Sequence, residues 1–94
     1  MIKPTLLALS MLGVLSFCDT AEERAEAHFQ SGRALLEEGD VDRALVEFRN
    51  VFRLDGQHRE ARRLYAEAEH ARGNVRAAYG QYLRLVEQYP DSLP

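Results

Sequence analysis

The stretch Gly39-Asp40-Val41-Asp42-Arg43-Ala44-Leu45-Val46-Glu47-Phe48 decides the fold, because it is written again as Gly73-Asn74-Val75-Arg76-Ala77-Ala78-Tyr79-Gly80-Gln81-Tyr82. Gly, Val, Ala and an aromatic residue each recur after 34 residues, the step from 39 to 73. A period between about 20 and 50 residues marks a solenoid, in which each unit is one supersecondary element that buries its apolar face only against its neighbours. Function in such a chain resides on its surface.

Outward from the repeated phrase, the pattern is helical throughout. Val41, Ala44, Leu45, Phe48, Val51 and Phe52 are spaced by threes and fours, which predicts a helix from about Val41 to Leu54 with one apolar face. Before it, Ala27, Phe29, Ala34, Leu35 and Leu36 predict a helix from about Arg24 to the Glu37-Glu38-Gly39 stop. Gly39 suits a left-handed C-cap and Asp40 an N-cap, so these two helices form a hairpin with a minimal turn. Asp55-Gly56-Gln57 ends the second helix. A third, from about Arg59 to Arg72, carries Ala61, Leu64, Tyr65, Ala68 and Ala71, and a fourth runs from Val75 to Gln88 before Tyr89-Pro90-Asp91. No stretch alternates with period two, so the chain reads as all-α.

With those elements placed, the sequence resembles two tetratricopeptide repeats, at 25–58 and 59–92. Gly32, Ala44 and Phe48 fit the family pattern in the first repeat, with Gly56 in place of the closing Pro. Ala66, Ala78, Tyr82 and Pro90 fit it in the second. Small residues at 32, 44, 66 and 78 leave room where paired helices approach. His28, Arg62 and Glu69 stand where the pattern has larger apolar or aromatic residues, which predicts looser packing there. The resemblance implies antiparallel helical hairpins stacked as a two-repeat solenoid. It also implies that the concave side of each first helix holds an extended peptide or a partner helix. Carried over residue by residue, that side comprises Glu26, Phe29, Arg33, Leu36 and Glu37 in the first repeat, and Glu60, Arg63, Glu67, His70 and Ala71 in the second. The expected groove is mixed in charge, with an apolar patch at Phe29 and Leu36. Phe29 and Arg33 stand where chaperone-tail clamps of this family carry other polar groups, which argues against a cytosolic co-chaperone.

The first seventeen residues read differently. Lys3 precedes an apolar run from Pro4 to Phe17 interrupted by Thr5, Ser10 and Ser16, too short for a comfortable membrane span of roughly 20 residues but ordered like a secretory signal. Leu15-Ser16-Phe17-Cys18 resembles the lipobox of bacterial lipoproteins, although Phe17 departs from the small residue of that pattern. The resemblance implies a signal peptide or anchor helix over 1–17, a lipidated Cys18, a tether over 18–24, and periplasmic attachment to the membrane. Asp19 resembles an inner-membrane retention signal. The other reading of Cys18 is an incidental cysteine in a removed or retained anchor. A single cysteine has no intramolecular disulfide partner.

Charge narrows the partners. The whole chain has 12 basic and 15 acidic residues, net −3. Apart from Lys3 every basic group is an arginine and none forms a polybasic run, which argues against nucleic acid and anionic lipid headgroups. Glu67-Ala68-Glu69-His70 places a Glu and a His on one helix face, but a di-iron bundle needs a second copy that the chain lacks. His28, His58 and His70 read as surface or packing residues. Cys18 precedes the folded region and cannot be held as a nucleophile, and Gly39 and Gly73 are caps rather than a phosphate loop. The expectation is no enzyme, no metal and no cofactor. It is instead an envelope scaffold for a protein or peptide. The alternatives are an N-terminal segment of a larger envelope enzyme or sensor, and a signal-anchored protein facing the cytoplasm. Two repeats bury little apolar area, Val86 lacks cover, and 93–94 stand where a third repeat would start. These features predict a longer array, or completion of the core by self-association or a partner.

Overall fold

The computed structural model describes residues 20–88 and 90. The signal or anchor segment, Cys18 and the start of a third repeat lie outside the described residues. Four helices follow one another: α1 (Ala21–Glu37), α2 (Val41–Leu54), α3 (Arg59–Ala71) and α4 (Val75–Gln88). α1 packs on α2, α3 on α4, and α2 on α3, so two hairpins stack through their inner helices. Among the described residues there is no strand.

The turns form as the caps demand. Gly39 and Gly73 adopt φ of +83° and +85°, the left-handed region where a side chain would be strained. Asp40 accepts a hydrogen bond from the Arg43 amide and opens α2. One boundary differs from the sequence expectation. α1 begins at Ala21, so most of the tether expected over 18–24 is helix. Thr20 causes this: its hydroxyl oxygen accepts from the Glu23 amide, and the same hydroxyl lies 3.3 Å from the Glu23 carboxylate. Thr20 is thus the N-cap of α1, and two acidic residues in the first turn suit the positive helix end.

The core lies between α1, α2 and α3. Phe48, Leu45 and Val51 are its largest fully enclosed side chains, joined by Ala25, Phe29, Ala44, Ala61 and Ala68. Gly32, rather than Ala27 or Ala34, is the buried position in the middle of α1. A carbon at its Cβ position would meet the Phe48 ring at 2.5 Å, so α1 and α2 approach here as closely as a glycine permits.

The polar departures from the repeat pattern do not loosen the packing. Arg62 is 3% exposed. Its guanidinium lies 4.2 Å from the Phe52 ring centroid and donates to Gln81 Oε1 at 2.6 Å and to the Gly56 carbonyl at 2.8 Å. One side chain thereby ties α3 to α2, to the loop between them and to α4. Glu69 is also buried, accepting from Asn74 Nδ2 at 3.1 Å and lying 3.6 Å from Arg72. Arg72 reaches Asp42 of α2 at 3.0 Å. His28 lies 3.4 Å from Glu47 across the first hairpin. Arg62 and His28 thus make cross-element polar contacts, and Glu69 is met by Arg72 and Asn74 at the end of its own helix.

Candidate functional site

The ten groove residues expected from the repeat pattern lie on α1 and α3, and the two helices are joined by a residue outside that set. His58 is the N-cap of α3: its Nδ1 accepts the Ala61 amide hydrogen at 3.2 Å. A nitrogen that accepts carries no proton, so the neutral ring bears its hydrogen on Nε2. That nitrogen lies 3.3 Å from Glu26 Oε1 on α1. The imidazole also packs on Phe29 at a 40° tilt, with ring centroids 4.6 Å apart. Cap, ring contact and hydrogen bond together fix where α3 starts relative to α1. His58 directly precedes the predicted third helix, and that cap position was the signal available in the sequence.

Around this junction the expected residues separate into two kinds. Glu26 is exposed on α1 and accepts from Gln30 at 2.7 Å. That bond is the main reason its carboxyl is held below the usual carboxylate range, with His58 and Arg33 adding to it. On α3, Arg63 donates to Glu60 at 2.7 Å and to Glu67 at 2.9 Å, forming a bridged triad along one face. The Arg63 bond lowers the Glu60 carboxyl, and Glu60 foremost raises the already basic guanidinium. Arg33 is exposed, its guanidinium carbon 5.8 Å from the Phe29 ring centroid. Glu37 and Ala71 end their helices in solvent, and His70 is exposed beside Ala71.

Phe29 corrects the expected apolar patch. It is only 6% exposed, enclosed by the Phe48 and His58 rings, and serves the core rather than the surface. Leu36 is half-buried against the same core. The accessible part of the α1–α3 face is therefore charged: Glu26, Arg33, Glu60, Arg63 and Glu67, with His70 at its end. Surface ion pairs of this kind contribute at most about 1 kcal/mol each to stability. Their stabilising role is small, and they remain open to exchange with a partner's groups.

Among the described residues no group of three His, Cys, Asp or Glu side chains is placed to hold a metal ion, and no helix is long and apolar enough to cross a membrane. A family model described as tetratricopeptide repeat matches residues 35–94. No curated protein and no solved structure matches the chain.

Proposed function

The chain belongs to the tetratricopeptide repeat family, and from that premise we propose that it is a membrane-anchored protein-interaction scaffold of the bacterial cell envelope. The partner, a peptide or a helix, lies along the face shared by α1 and α3. The observation that carries this reading is the line of charges from exposed Glu26 through half-buried Arg63 to exposed Glu67, fixed by intrahelical contacts yet largely outside the core. Arg33 and Arg63 offer planar donors to carboxylates or backbone carbonyls, and Glu26, Glu60 and Glu67 offer acceptors to basic side chains. A partner with both signs of charge, spaced along an extended segment, fits these groups.

Attachment rests on the sequence alone. The apolar run before Cys18 resembles a lipoprotein signal, and two or three acyl chains on Cys18 would hold the chain firmly at about 0.8 kcal/mol per buried methylene. Asp19 favours the inner membrane, with the repeats on the periplasmic side.

One preparation tests both parts. The full chain is expressed in a Gram-negative host with a photo-crosslinking residue at Arg33 or Glu67, or at Asp42 on the other helix of the first hairpin. Intact mass of the membrane-extracted protein should show residues 18–94 plus diacylglyceryl and acyl groups, lost in Cys18→Ala. Discrete adducts should form from 33 and 67 and not from 42, and should disappear with Arg63→Glu. An unmodified full-length mass would overturn the anchoring, and adducts independent of position and of Arg63 would overturn the groove.

A further inference from the structure

α4 leaves one face open. Val75, Tyr79, Leu83 and Val86 are 61%, 63%, 43% and 39% exposed, and at about 100° per residue they fall within a single narrow stripe. Three of the four equivalent positions in α2 behave otherwise, Leu45 being buried and Val41 and Phe52 half-buried against the core beneath α3, while the fourth, Arg49, is exposed and donates to the Tyr65 hydroxyl of α3. The stripe is nearly the same read in either direction, Val-Tyr-Leu-Val, with its centre close to Gln81. Reversal about that centre exchanges Val75 with Val86 and Tyr79 with Leu83.

Two charges flank the stripe on the same side, Arg76 at one end and Glu87 at the other. Both are exposed, and neither enters an ion pair among the described residues. A two-fold axis perpendicular to α4 through the stripe's centre carries Arg76 onto the height and flank of Glu87. In a parallel pair the same charges would instead face the opposite flank, where Ala78 and Tyr82 lie and no charge answers them.

We propose that this face of α4 is a self-association surface on which a second copy of the chain docks its own α4 antiparallel. Tyr79 packs on Leu83 of the second copy, Val75 on its Val86, and Arg76 pairs with its Glu87, each contact occurring twice. A head-to-tail stack is disfavoured by the other end of the molecule. Ala27, Gln30, Ser31 and Ala34 of α1, which stand where α3 has Ala61, Leu64, Tyr65 and Ala68, are exposed and include no large apolar side chain. One helix face is a small interface beside the roughly 800 Å² per partner of stable complexes, so the dimer is a weak one.

The test is disulfide trapping in the purified full chain, with Cys18→Ser in every copy. Arg76→Cys and Glu87→Cys copies of different size, oxidised together, should give a mixed disulfide, with little like-with-like product. Leu83→Glu in both copies should abolish it, and as an exposed position this change should leave the helical circular dichroism intact. Without cysteines, Arg76→Glu and Glu87→Arg should each weaken association about tenfold by loss of two charge pairs, and the double reversal should restore it. Absence of the mixed disulfide, equal like-with-like trapping, or trapping of Arg76→Cys by Ala34→Cys would overturn the proposal.

Discussion

Gly32 and Phe48 are in such close contact that no carbon fits between them: a Cβ on Gly32 would stand 2.5 Å from Cε1 and 2.8 Å from Cδ1 of the ring. Phe48 is fully enclosed and cannot swing away. Gly32→Ala should therefore destabilise the protein by about 1–3 kcal/mol, although alanine is the better helix former by about 1 kcal/mol. Denaturant unfolding of the variant measures it. A smaller ring-position residue should relieve the clash, so Gly32→Ala with Phe48→Leu should lose less than the two single changes added together.

Arg62 should resist conservative replacement. Its flat guanidinium stacks on Phe52 while donating in two directions, to Gln81 and to the Gly56 carbonyl, which a lysine ammonium cannot reproduce. Arg62→Ala should cost about 3 kcal/mol, through lost packing and unmet acceptors, and Arg62→Lys more than half of that. Thermal melts of both variants against the parent decide it. A lysine variant of parental stability would show that only the charge matters.

His58 should be replaceable by a residue that can still cap. Asn offers an acceptor to the Ala61 amide, whereas Ala offers none, so His58→Ala should lose about 1 kcal/mol more than His58→Asn. Both lose the ring contact with Phe29, which sets their common deficit. Urea titrations of the pair isolate the cap from the ring contact.

Acid should weaken the α1–α3 face first. The Glu26 and Glu60 carboxyls are both lowered, by Gln30 and by Arg63 foremost. A lowered folded-state value means the contribution is complete above the unfolded value of about 4.3 and is lost as pH falls through the folded value. Stability measured from neutral pH downward should hold until about pH 5 and then decline. Glu60→Gln should flatten that decline while changing stability at pH 7 by less than about 1 kcal/mol, since the pair is solvent-screened.

Much of this architecture was legible because it is local. The 34-residue repeat, the positive-φ glycines and the apolar spacing place α2, α3 and α4 to within a residue. α1 starts earlier than its apolar pattern because Thr20 caps the Glu23 amide inside a stretch that reads as a polar tether. What escaped the sequence depends on side-chain pairings that apolar periodicity does not encode. Nothing in the periodicity announces that Gln81 and Gly56 will satisfy Arg62, or that Glu69 will turn to Arg72 and Asn74 rather than to water. Phe29 belongs to a helix face that periodicity identifies, but periodicity cannot tell a groove wall from a ring clasped by Phe48 and His58. The exposure of Glu26, Arg33, Glu60 and Glu67 was readable because the helical spacing puts them off the apolar stripe.

The fixed tautomer of His58 makes this ring a spectroscopic gauge. With Nδ1 accepting from Ala61 and Nε2 facing Glu26, the docked molecule holds one neutral form of the imidazole. Free histidine in water interconverts between two. Of its two partners only Glu26 belongs to the first hairpin, so the Nε2 chemical shift of a single side chain records whether that hairpin is seated on the second, without any added label near the charged face.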